Sequence, residues 1–127
     1  MTLIESIHNK IASTPGTPSG GVFILEDDDQ RHTAVLITPT QGYSETDVPL
    51  FHENFQILSR AKQFTEAQGL AWKVYVIVRG YIPKDSGVYL FGFPDMTQPP
   101  SYIGTDDKGR HVFSFNFTYP ITRFEYL

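Results

Sequence analysis

The sequence predicts an α+β fold, in which a mostly antiparallel β-sheet carries a long helix and a short N-terminal helix on one face. Three observations support this fold class. A helical pattern runs through residues 65–79, strand-like alternation runs through residues 112–119, and the expected strands cluster instead of alternating strictly with helices. The chain has 127 residues, a length typical of one domain, so we expect a single domain over residues 1–127.

The N-terminal third combines a helix with two apolar segments. Apolar residues recur at helical spacing in residues 2–13, and Thr2 with Glu5 forms a capping-box pattern at the start. Residues 22–25 and 33–37 are apolar and partly β-branched, with an acidic segment between them. This arrangement predicts a β-hairpin with a solvated acidic tip. The run Glu26–Asp29 lacks the spacing of a calcium loop, so we expect no calcium site there.

The middle third predicts a loop, a strand and the longest helix. Residues 39–50 contain Pro, Gly and Ser without a period, which predicts a loop. Residues 51–61 alternate as a half-buried strand does. Residues 65–79 follow helical spacing, with Thr65 and Gln68 as a capping pair and Gly80 and Pro83 after the end. The valine-rich run at 74–78 favours a strand locally, but the helical period continues through it unbroken.

The C-terminal third predicts strands and a tight turn. Residues 88–93 alternate, which predicts a strand with three aromatic side chains on one face, and the prolines at 94, 99 and 100 predict a rigid loop. Residues 101–104 predict a short strand, and residues 106–109 a turn with Gly109 in the left-handed region of a bulged hairpin. The last strand places four aromatic residues on one face, which the long helix is expected to cover: Phe113, Phe115, Phe117 and Tyr119.

Composition narrows the classes of function. Charged residues make up 19% of the chain, below the usual share of about 25%, and aromatic residues make up 14%, so part of the surface is expected to be buried against partners. The net charge is −4 and the basic residues are scattered, which argues against a nucleic-acid-binding protein. The absence of cysteine excludes disulfides, zinc thiolate sites and a cysteine nucleophile.

Two absences suggest where the protein is made. The first residues lack the features of a signal peptide. No apolar stretch approaches the length of about 18 residues that a membrane helix needs. We therefore expect a soluble protein made in a cytoplasm, with no membrane partner.

No catalytic constellation emerges from the motifs. The histidines His8, His32, His52 and His111 lack the spacing of a zinc helix, the serines lack a nucleophile-elbow context, and the glycines follow no nucleotide-binding pattern. The pair Asp106 and Asp107 is explained by the turn. We expect neither a reaction nor a cofactor or metal. Trp72 fits a half-buried core position and an interface anchor equally well.

Two segments carry a family resemblance. Residues 55–67, FQILSRAKQFTEA, and residues 100–117, PSYIGTDDKGRHVFSFNF, resemble a strand-and-helix segment and a hairpin of the tail-terminator and minor-capsid proteins of long-tailed phages. The order of elements is also similar to that family's, although its usual short polar link after the helix is replaced here by the partly apolar residues 81–96. The matching positions are Gln56, Arg60, Ala67, Pro100, Gly104, Asp106, Gly109, Arg110 and Asn116.

The resemblance implies a structural protein of the virion and not an enzyme. Members of that family form a ring, usually of six copies, that caps the finished tail tube and meets the head connector. The implied partners are other copies of the chain, the tail-tube protein and a head-completion or connector protein. DNA is implied to pass through the channel without specific binding, and the acidic balance of the chain suits such a channel. The implied location is the head–tail interface of the virion, after assembly in the host cytoplasm.

The matching positions also suggest contacts. Gln56 and Arg60 are expected on one strand face, and Arg110 and Asn116 are expected on strand faces from which they could pair with a neighbouring element. The loops 39–50 and 83–100 are the expected contact regions, because they are long and rich in proline. The candidate interface residues are Tyr43, Leu50, Trp72, Phe93 and Met96.

Two alternatives remain open from the sequence. One is a different virion part, such as another head–tail connector or a tail-tube subunit. The other is a small α+β ligand-binding module or enzyme that uses the aromatic face as a pocket.

Overall fold

The computed structural model describes residues 1–18, 20–25, 29–44 and 50–123. In this part of the chain, two helices lie on one face of a seven-stranded, mostly antiparallel sheet, so the predicted α+β fold is confirmed. The helices are α1, Leu3–Ser13, and α2, Phe64–Arg79. The strands are β1 Val22–Ile24, β2 Ala34–Pro39, β3 Tyr43–Ser44, β4 Phe51–Ala61, β5 Tyr89–Leu90, β6 Asp95–Thr105 and β7 His111–Thr122.

The long strands β4 and β7 form the centre of the sheet. They pair antiparallel along their whole length, from Phe51 opposite Ile121 to Ala61 opposite His111. The order of strands is β1-β2-β4-β7-β5, with β3 beside the start of β4 and β6 beside β7. Because successive side chains of a strand point to opposite faces, this pairing gives the sheet one face toward the helices and one outer face.

The helix predictions are confirmed except for one cap. Thr2 and Glu5 form the predicted capping box of α1. The valine-rich run at residues 74–78 is helical, and α2 ends at Gly80 as predicted. The predicted Thr65 cap is wrong, because α2 already begins at Phe64 after Gln63, which makes no side-chain cap hydrogen bond. The ring centroids of Phe64 and Phe113 lie 5.3 Å apart, so the first residue of α2 already contacts the sheet.

The core lies between the helices and one face of the sheet. The four aromatic residues of β7 are buried, and Tyr75 of α2 meets Phe115 edge to face with ring centroids 5.5 Å apart. The predicted cover of this aromatic face by α2 is therefore confirmed. The other buried apolar residues of this cluster are Leu3, Ile7, Ile11, Val22, Val35, Ile37, Phe55, Ile57, Leu70, Val74, Val78 and Ile121.

The predicted hairpin at residues 22–37 is wrong, because β1 and β2 are parallel. Val22 pairs with Val35 and Ile24 pairs with Ile37, so the chain must return to the start of β1 before β2 begins. Leu25, at φ +64°, starts this return, and its amide donates to the carbonyl of Ile37 at 3.0 Å. Of the expected acidic tip, residues 26–28 lie outside the described residues.

Two further expectations need correction. The predicted loop 39–50 contains β3, which pairs with β4 through Tyr43 opposite His52, while residues 45–49 lie outside the described residues. The predicted strand 88–93 is reduced to the two residues of β5. The side chains of Tyr89, Phe91 and Phe93 are exposed, so burial does not stabilise a longer strand.

The predicted proline loop at 94–100 is wrong as well, because these residues belong mostly to β6. A strand tolerates proline at an edge or beside a bulge, where the missing amide is not needed. β6 meets both conditions: in the described part of the chain it pairs with β7 alone, and its register shifts between Gln98 and Ser101. The turn after β6 is the predicted one, with Gly109 at φ +74°.

Among the described residues, no helix is both long and apolar enough to span a bilayer.

Candidate functional site

The outer face of the sheet carries rows of polar side chains. The even-numbered residues of β4 and β7 point away from the helices, and the strand register aligns them. Gln56 lies opposite Asn116, which lies opposite Gln98 of β6. The next row places Asn54 opposite Thr118, which lies opposite Asp95. A groove of about 580 Å³ lies over these rows, and its floor is formed by Asn54, Gln56, Asp95, Asn116 and Thr118.

Hydrogen bonds tie the floor of the groove together. The Asn116 amide donates to the Gln98 side chain, and the Thr118 hydroxyl donates to the Asn54 side chain. The Asn54 amide in turn donates to the carbonyl of Gln41 at 2.6 Å. The side chains are therefore held in fixed orientations before any partner arrives, which lowers the entropic cost of binding.

Aromatic side chains form the walls of the groove. Tyr43 of β3 stacks on His52 of β4 with ring centroids 4.2 Å apart. On the other side lies Phe93, which is 61% exposed. A concave polar floor between exposed aromatic walls is typical of a binding surface, because aromatic side chains give large contact areas with few rotatable bonds. We call this surface the outer groove; its lining residues are Thr40, Tyr43, His52, Asn54, Gln56, Phe93, Asp95, Thr97, Asn116, Thr118 and Pro120.

A second exposed surface lies on the opposite side of the sheet. Trp72 and Val76 are one helical turn apart on α2, 44% and 57% exposed, and Trp72 meets Tyr75 edge to face. Farther along, Phe64 contacts Tyr102 of β6 with ring centroids 5.1 Å apart. Exposed apolar residues grouped in this way indicate a contact surface. We call the Trp72–Val76 part of it the α2 stripe.

A buried arginine fixes the connection that makes β1 and β2 parallel. The side chain of Arg110 is 2% exposed and donates to the carboxylates of Asp106 and Asp29, at 2.7 Å each. It also donates to the carbonyls of Asp29 at 2.9 Å and Arg31 at 2.7 Å. Arg60 adds two hydrogen bonds to the Arg31 carbonyl. The chain is thereby held beside the start of β2.

The electrostatics of this cluster favour the charged forms. The pKa of Asp29 falls to about 2, mainly because Lys108 and then Arg110 donate hydrogen bonds to its carboxylate. Burial acts to raise the pKa of Asp106, but hydrogen bonds from Arg110 and Lys108 outweigh it and the pKa is lowered. Burial likewise acts to lower the pKa of Arg110, and the two carboxylates outweigh it, so this pKa is raised. The cluster of Asp29, Asp106, Lys108 and Arg110 is therefore fully charged at neutral pH and holds the 29–33 connection in place; we call it the structural lock.

The structure separates the motif residues into three groups. Gln56 and Asn116 lie in the outer groove. Arg60, Asp106 and Arg110 hold the 29–33 connection, and Arg110 lies just before β7, not on a strand face as expected. The remaining positions are structural: Ala67 is buried against Phe113, Pro100 is in β6, and Gly104 and Gly109 have positive φ.

The five candidate interface residues do not share one surface. Tyr43 and Phe93 line the outer groove, whereas Trp72 lies on the α2 stripe. Met96 packs against the core, and Leu50 is half-buried. The four histidines form no metal cluster: within the described residues, no three His, Asp or Glu side chains gather as metal ligands would. His52 and His111 lie at opposite ends of the β4–β7 pair.

Sequence reasoning missed the groove floor and the Asp29 contact. Alternation on β4 and β7 places Asn54, Gln56, Asn116 and Thr118 on polar faces, which was a usable signal. Alternation does not reveal register, however, so it could not show that these faces align. The Asp29–Arg110 contact spans 81 residues and left no local signal.

A family model decides the identity of the chain. The model of the bacteriophage tail terminator protein matches residues 8–123. The chain belongs to the bacteriophage tail terminator family. It is therefore a structural component of the phage tail and of the virion, as the two segment resemblances implied.

A solved structure has a similar fold. A chain of a solved structure described as the virion of a native gene transfer agent particle is similar with a TM-score of 0.68 and 11% sequence identity, over 95% of both chains. At that identity the similarity concerns the fold alone. A search of curated protein sequences found no match to this tail terminator.

Proposed function

We propose that this tail terminator protein closes the finished tail tube as a ring of about six copies and presents the ring to the head connector. Its partners are other copies of the chain, the tail-tube protein and a connector or head-completion protein. The observation that carries the proposal is the family match over residues 8–123. Ring formation is supported by the two exposed surfaces on opposite sides of the sheet, because a subunit of a closed ring must offer a different surface to each neighbour.

The proposal assigns no reaction to the chain. The buried cations Arg60 and Arg110 are engaged in holding the 29–33 connection. The outer groove offers amides and aromatic rings, which suit recognition of another molecule more than bond making. A terminator acts by ending a polymer, and this needs only surfaces that bind the tube end and refuse further tube subunits.

We also propose that DNA passes the ring without specific binding. The net charge of −4 and the scattered basic residues support this, since a channel that repels phosphate does not retain DNA. A structure of the ring on the tube tests the idea directly through the residues that face the channel. A channel lined mainly by lysine and arginine would overturn it.

The experiment that tests termination is tube elongation. Tail-tube protein is polymerised in the presence and absence of the purified chain, and tube lengths are measured by electron microscopy. The proposal predicts shorter tubes that carry an extra density at one end and no longer grow when fresh subunits are added. If the chain copolymerises along the tube, it is a tube subunit; if tubes grow unchanged, the terminator role is wrong.

A further inference from the structure

The α2 stripe and the outer groove are suited to each other in shape, charge and position. We propose that the α2 stripe of one copy docks in the outer groove of the next copy, so that copies join head to tail. This inference rests on the proposed ring and names the two surfaces that build it. Its occupant is a second copy of this chain and not a small ligand or a different protein.

The two surfaces are complementary in shape. The outer groove is concave, about 580 Å³ in volume, and walled by Tyr43 and Phe93. The α2 stripe is convex, because it is the outward ridge of a helix that crosses β4, β7 and β6. Its Trp72 projects from this ridge. A large aromatic residue that enters a preformed aromatic-walled groove is the usual anchor of a protein interface.

The α2 stripe and the outer groove carry opposite charges. On α2, the basic residues Lys73 and Arg79 lie beside the stripe. Among the lining residues of the groove, Asp95 carries a negative charge. The flanks of the stripe therefore attract the groove of another copy, which favours contact of stripe with groove over contact of stripe with stripe.

The two surfaces also lie where a head-to-tail contact needs them. Core side chains of β4 and β7 face α2, and groove side chains alternate with them, so the two surfaces lie on opposite faces of the sheet. A contact between them cannot be isologous, because each copy uses a different surface. A growing oligomer then keeps a free stripe at one end and a free groove at the other until the two ends meet. Closed rings and helical filaments are the two products of such a contact.

The test uses the absence of cysteine from the chain. Val76→Cys is combined with Phe93→Cys, and the variant is supplied from a plasmid to a phage that lacks its own copy of the gene. Assembled tails are then treated with a short bismaleimide. The matched control combines Ile103→Cys with Phe93→Cys, since Ile103 is 58% exposed against 57% for Val76 but lies on β6.

The expected result is a ladder of cross-linked chains that ends at the ring size in the Val76 pair and a single-chain band in the control. Absence of a ladder from the Val76 pair, or a ladder in the control alone, overturns the inference. An amine-reactive reagent on the same tails separates this failure from failure of the proposed function. A ladder with that reagent shows that the ring exists with other contacts; single chains alone show that there is no ring.

A mixing experiment gives an independent readout. Trp72→Asp breaks only the stripe and Phe93→Asp breaks only the groove, and both residues are exposed enough for the fold to survive, which circular dichroism checks. Each variant alone is expected to be monomeric, and an equimolar mixture is expected to form one-to-one pairs by native mass spectrometry at high protein concentration. Oligomers larger than a pair in either variant alone would contradict a head-to-tail contact through these surfaces.

Discussion

Replacement of Arg110 by methionine tests the structural lock at the 29–33 connection. The substitution removes the charge and four side-chain hydrogen bonds, two to carboxylates and two to backbone carbonyls, while it keeps a long apolar side chain. Removal of one partner from a buried ion pair costs about 3–5 kcal/mol in the free energy of unfolding. Arg110 is 2% exposed, but its partners Asp106 and Asp29 are 26% and 65% exposed, so water can solvate the carboxylates that lose the arginine and the loss does not reach the upper part of this range.

Neighbouring groups reduce the expected loss. The carbonyl of Asp29 also accepts a hydrogen bond from Lys108 at 2.9 Å, and the carbonyl of Arg31 accepts one from Arg60 at 2.8 Å. The carboxylate of Asp106 keeps the backbone amide of Lys108 at 3.0 Å. Each of the four acceptor groups keeps another donor, although Asp106 Oδ2 and Asp29 Oδ1 lose the arginine, so we expect a loss near the lower end, about 3 kcal/mol.

The assay is urea unfolding followed by circular dichroism and by the fluorescence of Trp72, the single tryptophan. Lys108→Met is the matched control: it removes the same charge from a side chain that is 41% exposed, and we expect it to cost less than about 1 kcal/mol. Arg110→Lys should not restore stability, because one ammonium cannot reach four acceptors held in a fork. If Arg110→Met and Lys108→Met lose equal stability, the lock is not what holds the connection.

Three further predictions concern stability. At pH values above 3.8, the ordinary pKa of an aspartate, the lowered pKa of Asp29 stabilises the fold, and this contribution is lost as the pH falls toward about 2. Acid titration followed by circular dichroism should show that Asp29→Asn lacks this part of the pH dependence. Phe115→Ala should cost about 3–5 kcal/mol because the ring is fully buried, whereas Phe91→Ala, at an exposed position, should change urea stability by less than about 0.5 kcal/mol. Gly109→Val should cost roughly 1–2 kcal/mol in thermal unfolding, since φ is +74° there; an unchanged melting temperature would contradict the turn geometry.

Local patterns predicted the parts of the fold that local forces determine. The capping box of α1, the long period of α2 and the alternation of β4 and β7 all lie within short stretches of sequence, and the structure contains each of them. The turn at Gly109 was also predictable from a short stretch of sequence, because a single residue in the left-handed region favours glycine.

The features that local patterns did not predict depend on contacts between residues far apart in the sequence. Two adjacent apolar strands ordinarily form a hairpin, but Arg110 holds Asp29 from 81 positions away, so β2 starts beside the start of β1. β6 was mistaken for a loop because its prolines count against a strand, and only its place at the edge of the sheet makes them tolerable. The candidate site depended on strand register, which brought Gln56 opposite Asn116.

The measurement that tests the central claim most directly is the mass of the assembled protein. Light scattering on the purified chain, over a range of concentration and salt and with and without tail-tube protein, reports that mass. The account predicts a discrete species near six times the chain mass of 14.4 kDa, formed alone or on the tube end, that grows no further as concentration rises. A polymer that lengthens without limit, or a chain that stays monomeric even with tail-tube protein present, would contradict it.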